Sequence, residues 1–306
     1  MKAEVSSELT IACHGDVVST SLRSEGSALR QLRMFIATAV TFFGPDHMTP
    51  RMEIRVTDVF ARLESFGERF RLQRGLAPGE DWIGCDRLLD PWSDELGQVL
   101  DAERRASGQV SDHATALTVM AVYAGTVTAS AILAWALDGK VIDMRPGNVA
   151  IRLSPHHGFE AVGLREPTVT DAPAETLVSW ILDEHLLPLA RAMRVRTRAG
   201  LRQLYGGVAH GCAAAFCIAS RRGGDVDQLE RAYETFLAAA PGNLERLGTV
   251  IRLKEDTREG LFYLRNTCCL YYTSAEKVKC SSCCLDSVED RVKNYRRVLA
   301  EGVVPH

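Results

Sequence analysis

The sequence predicts a mainly α (α+β) fold, a helical domain with one or two small β-hairpins and a cysteine-rich, cluster-binding segment near the C-terminal end. Three observations carry this. Apolar residues recur at helical spacing between capping and breaking residues over most of the chain. Two short β-prone runs, residues 148–153 and 159–164, flank the turn-like Ser154-Pro155-His156-His157-Gly158. Five of the nine cysteines fall between Cys268 and Cys284. The 306 residues suit one main core with a specialised end. We therefore expect a helical domain over 1–255 and a metal-binding segment over 256–306 packed on it.

The elements follow in order. Residues 29–43 are apolar at helical spacing and stop at Gly44-Pro45. Ser111 or Asp112 can cap a helix running to Leu137, closed by Asp138-Gly139. Residues 114–137 hold no charged side chain over 24 positions, long enough to cross a bilayer. The stretch is rich in alanine, and Thr115, Thr118, Thr126, Thr128 and Ser130 recur in it. With no excess of Lys or Arg on one flank, it reads as a buried core helix, and peripheral membrane association is the alternative. Asp171 is expected to cap a helix with Pro173 in its first turn, and residues 201–219 form a helix rich in glycine and alanine that something must approach closely. Residues 229–239 make another helix. Residues 249–253 and 260–267 look extended and lead into the cysteines, and residues 287–299 form a covering helix.

Composition excludes some functions. The chain is 46% hydrophobic and 25% charged with a formal net charge of −3, which leaves no basic footprint for nucleic acid. No apolar run followed by a cleavage site stands near Met1, and clustered rather than evenly spread cysteines point to metal or redox chemistry in the cytoplasm. A nucleophile elbow, a Walker loop and a G-x-G-x-x-G turn are all missing from the sequence.

The cysteine segment reads Cys268-Cys269, ten residues, then Cys280-x-x-Cys283-Cys284. Four thiolates are what a [2Fe–2S] cluster takes, two for each iron. Structural zinc takes four as well, but its sites present two short knuckles, and here an adjacent pair replaces one of them. Iron–sulfur is the better fit and zinc the alternative. In a strand Cys268 and Cys269 would face opposite ways, so the strand must end near Thr267 and the backbone must turn.

This pattern resembles the FhuF-like siderophore-iron reductases, whose signature is an adjacent cysteine pair, ten residues and Cys-x-x-Cys, preceded by an arginine. Cys268, Cys269, Cys280 and Cys283 fall on the metal-ligand positions and Arg265 on the arginine. His185-Leu186-Leu187-Pro188-Leu189 and Leu204-Tyr205-Gly206-Gly207-Val208-Ala209 resemble two further segments of that family, and Asn148-Val149-Ala150 a hairpin strand. The chain departs from it in the polar turn 274–279, in Gly207 where the family has asparagine, and in Cys284 where the family has proline. The fourth ligand position therefore lies open between Cys283 and Cys284.

The resemblance implies a ferric-siderophore reductase, an oxidoreductase that takes chelated Fe(III) to Fe(II) by one electron. The substrate is a ferric siderophore, and a separate ferredoxin or flavin/NADPH reductase is the expected electron donor. No catalytic residue beyond the cluster is implied. Lys277, Lys279 and Arg265 are placed to offset thiolate charge. The alternative is a non-enzymatic iron–sulfur or zinc protein with a structural or redox-sensing role. His156-His157, His185, His210, Cys212, Cys217 and Cys13-His14 read better as turn or core residues than as ligands.

Overall fold

A computed structural model describes residues 11–13, 16–18, 56–241 and 243–302. The chain divides into two units, Met1–Glu53 and Ile54–His306. In the first, β1 (Ile11–Cys13) pairs antiparallel with β2 (Asp16–Val18). The helix expected over 29–43 lies outside the described residues.

The second unit opens with α1 (Val56–Ser65), β3 (Gln73–Arg74) and β4 (Ile83–Gly84). Next comes α2 (Asp94–Ser107), capped by the Ser93 hydroxyl, which accepts from the Leu96 amide. Gly108 ends it in the left-handed region at φ 65°, a conformation that costs glycine little. The long apolar stretch is two helices, α3 (Asp112–Val127) capped by Ser111, and α4 (Ala129–Asp138). Its most apolar window is 83% buried inside the protein, so it is a core element. The break falls at Thr128, whose hydroxyl donates to the Ala124 carbonyl at 2.7 Å and competes with the regular ladder.

Strands β5 (Lys140–Ile142), β6 (Val149–Leu153), β7 (Phe159–Leu164) and β8 (Val169–Asp171) follow. The expected hairpin is β6–β7, with Ala150 opposite Gly163. It forms the centre of a four-stranded sheet in the order β3-β7-β6-β4, while β5 pairs with β8. Asp171 does not cap a helix. It ends β8, where Lys140 donates to its carboxylate, and Pro173 takes the N-cap position of α5 (Ala174–Val178).

A π-helical segment, Ser179–Leu186, joins α5 to α6 (Leu187–Thr197). After it come α7 (Leu201–Ser220) and α8 (Val226–Ala239). Strands β9 (Gly248–Glu255) and β10 (Arg258–Arg265) form a hairpin, and α9 (Val288–Glu301), capped by Ser287, ends the described chain. The second unit holds residues 54–255 of the first expected segment together with the whole of the second, and residue 255 falls at the β9–β10 turn. The described structure is 55% helical with small sheets, so helix–helix packing builds the core.

Helix α7 is the central post. Its small residues let it meet α3 backbone to backbone: a Cβ on Gly211 would lie 2.5 Å from Ala124 Cβ and from Gly125 N, closer than packed atoms allow. Five residues earlier, a Cβ on Gly206 would overlap the Thr267 side chain. The same helix therefore seats the residue just before Cys268. Helix α9 covers the hairpin through a second apolar cluster in which Phe262 and Tyr295 stack at 4.7 Å. It also brings Arg291 against Arg265.

Candidate metal centre

Strand β10 delivers the chain to the cysteines and stops at Arg265, two residues before the expected point. Asn266 then donates to the Leu247 carbonyl at 2.8 Å, and Leu270 takes a left-handed φ of 58°, unusual for a branched side chain. The chain bends at Asn266 and Thr267, and both Cys268 and Cys269 line one recess. Its lining consists of Arg265, Thr267, Cys268, Cys269, Tyr271, Tyr272, Lys279, Cys280, Cys283 and Cys284. All four cysteines singled out from the sequence meet there, together with Cys284.

The turn between the cysteine pairs is anchored from the helical side. The Ala275 amide donates to the Ser107 carbonyl at 2.9 Å. Gln109, only 2% exposed, donates to the Leu270 carbonyl at 3.1 Å and accepts from the Thr273 hydroxyl at 2.9 Å. A buried amide so satisfied holds a loop in one place. Gln109 had no signal in the sequence, because its partners lie about 160 residues away.

Donors point at the sulfurs. The Leu270 amide lies 3.3 Å from Cys268 Sγ, and the Ser282 hydroxyl 3.8 Å from Cys280 Sγ. The Cys280 thiol is hydrogen-bonded to Cys269, which draws Cys269 down against its burial with help from the Arg265 charge, and pushes Cys280 up. Among the described residues no three His, Cys, Asp or Glu side chains stand close enough to share one metal ion. A two-iron centre asks instead for two pairs of thiolates. Cys269 and Cys280, joined by their hydrogen bond, line the recess together with Cys268, Cys283 and Cys284.

The charge behind the sulfurs decides the fit. Arg265 is 2% exposed and Arg291 5%. Arg265 Nε donates to the Thr267 carbonyl and Arg291 Nη1 to the Arg265 carbonyl, but Arg265 Nη2 and Arg291 Nε have no partner. Among the described residues neither arginine is paired with a carboxylate. Buried cations without an anion are costly, and a cluster carrying four thiolates supplies the missing negative charge. Of the other expected cations, Lys279 reaches the recess but is paired with Asp286 at 2.6 Å. Lys277 does not line it.

The family model of the FhuF 2Fe-2S C-terminal domain matches residues 265–285. This segment is similar to the iron–sulfur segment of that family. Its cofactor is a [2Fe–2S] cluster. The match begins at Arg265 and takes in every cysteine of the recess, and it supports the resemblance to siderophore-iron reductases. No curated protein matches the chain.

Other sequence signals resolve differently. Cys212 and Cys217 are buried in α7, where burial pushes both thiols up to about 12, so they are packing residues. His157 is not a free turn histidine: its Nδ1 stands 2.8 Å from the buried Glu103 carboxylate, whose hydrogen bond raises it. His210 lies beside Tyr263 with Nδ1 unpartnered. Burial holds it down at about 3, and the Arg265 and Arg69 charges press the same way.

His185 is a satisfied core histidine, donating from Nδ1 to the Met144 carbonyl at 2.8 Å and accepting at Nε2 from the Tyr123 hydroxyl at 2.7 Å. Burial holds it at about 4, with the Met144 bond offsetting part. The unfolded chain, with a histidine near 6.5, takes up the proton first, so this contribution is full above about pH 6.5 and is lost as pH falls through about 4. A gap of that size is worth about 3 kcal/mol. Urea unfolding from about pH 7 to about pH 4.5 should show that loss, and His185→Gln should make it shallower while leaving the share that His210, held down by burial as well, contributes. An equally steep decline in the variant would contradict the assignment.

Proposed function

We propose that the protein is a ferric-siderophore reductase, an oxidoreductase that takes chelated Fe(III) to Fe(II) by one electron and so releases the iron. The observation that carries this is Arg265, buried and paired with no carboxylate among the described residues, in the lining of a recess shared by five cysteines. In this reading Cys268, Cys269, Cys280 and Cys283 hold the cluster. When bound, a [2Fe–2S] cluster supplies single electrons, which matches the step. Fe(III) is a hard ion held by hard oxygen donors, and Fe(II) is held far more weakly, so one electron frees the metal.

The chain's own residues set the conditions. Arg265 favours the added negative charge, and the amide on Cys268 shares the charge on that sulfur, the two means by which a protein tunes such a centre. Tyr272, which lines the recess, and Val278 and Leu285, next in sequence to its lining residues Lys279 and Cys284, are exposed, and a ferredoxin or flavin/NADPH reductase can dock there. A separate donor fits the absence of a dinucleotide-binding motif from the sequence, and the reaction is assigned to the cytoplasm. Stopped-flow mixing of the pre-reduced protein with a ferric hydroxamate tests the proposal. Reoxidation of the protein should coincide with Fe(II) captured by a ferrous chelator. A reduced protein that leaves the ferric chelate untouched points to a structural or redox-sensing centre instead.

A further inference from the structure

Five cysteines line the recess, where a [2Fe–2S] centre takes four. Cys284 is the one the proposed ligand set leaves over. It is neither sealed in the core, as Cys212 and Cys217 are, nor turned away from the site: it is partly exposed and lines the recess. Cys283 is the more buried neighbour, at 4% exposure. Its amide donates to the Cys280 carbonyl at 2.9 Å and its own carbonyl accepts from the Asp286 amide at 3.1 Å. Both sulfur-bearing residues line the recess that Cys268 lines.

Spacing permits either residue to serve. Cys280-x2-Cys283 and Cys280-x3-Cys284 both fall within the x2–4 range over which a knuckle presents two thiolates to metal. The stretch from Ser281 to Asp286 is turn rather than helix, and α9 starts only at Val288. Small backbone rotations therefore bring either sulfur forward.

We propose that Cys284 is a reserve thiolate of this site, an exchangeable fourth ligand that takes the place of Cys283. The exchange is a ligand substitution. The Cys284 thiol gives its proton to solvent and its sulfur bonds iron, while the Cys283 sulfur leaves and takes up a proton. No electron moves. The proposal rests on the reading that these cysteines hold the cluster.

The test is iron and acid-labile sulfide content, with visible circular dichroism and the electron paramagnetic resonance spectrum of the reduced form, on full-length chains purified without oxygen. Cys283→Ala should retain at least about half the wild-type iron with a changed spectrum. Cys284→Ala should retain all of it with the wild-type spectrum. The double variant and Cys269→Ala should fall at least about tenfold. Cys283→Ser provides a second variant should alanine impair folding, with far-ultraviolet circular dichroism as the check. A Cys283 variant that is folded yet as empty as Cys269→Ala, beside a loaded wild type, overturns the proposal. So does loss of the cluster in Cys284→Ala alone. A wild-type chain without iron brings down the underlying reading and this proposal with it.

Discussion

Arg265→Met is expected to move the metal-free and the cluster-loaded chains in opposite directions. The guanidinium is buried, has one unpartnered nitrogen and meets no carboxylate among the described residues. Without the cluster it meets only the Cys269 thiol that its charge helps draw down, and an apolar side chain of similar length relieves part of its burial cost. The gain is at most about 2 kcal/mol, after the lost hydrogen bond to the Thr267 carbonyl is set against an unpaired-charge cost of roughly 3 kcal/mol. With the cluster bound, the same change removes the nearest fixed positive charge. Iron should then be lost several-fold faster, and the potential should fall, because reduction adds negative charge that Arg265 favoured. A unit charge a few ångströms away at an effective dielectric near 20 corresponds to a shift on the order of 100 mV. Urea unfolding of the metal-free chain and potentiometry of the loaded chain measure the two halves. A metal-free variant less stable than wild type, or a potential that rises, contradicts the electrostatic account.

Gly206→Val should empty the recess while the helices remain. The added side chain meets Thr267, one residue before Cys268, and overpacking of this kind costs about 1–3 kcal/mol. Because α7 is held along its length by α3, the strain is released where the chain is least constrained, in the cysteine segment. Iron content is expected to drop at least about tenfold with far-ultraviolet circular dichroism nearly unchanged. Gly147→Ala, where a Cβ has open space, serves as the neutral control. Thr267→Gly, which removes the atoms struck, should restore part of the loss through the coupling of neighbouring sites. Full iron content in Gly206→Val would show that the α7 contact does not position the cysteines.

What the sequence disclosed was local. The ligand spacing, the Ser111 cap, the β6–β7 hairpin and the closing helix from Ser287 all rest on residues a few positions apart, where propensity and geometry act directly. What it concealed depends on partners brought together only by folding. The run from 114 to 137 reads as one helix because it carries no charge to mark a break; the interruption comes from the Thr128 hydroxyl. Helix α2 buries an apolar stripe of Leu96, Val99 and Leu100, but nothing local marks its end and Gln109 as the anchors of the cysteine turn. Arg291 looks like a surface residue of α9, but it is buried against the Arg265 carbonyl. Asp171 has the right residue type for a cap, and the β5–β8 pairing takes it for the strand instead.

The central claim is that four thiolates from residues 268–283 hold a pair of iron ions able to accept one electron. Iron, acid-labile sulfide and zinc should be determined on the chain isolated without oxygen, with the electron paramagnetic resonance spectrum recorded after one-electron reduction. The account predicts two irons and two sulfides per chain and a single-electron signal on reduction. One zinc per chain, with neither iron nor signal, would contradict it.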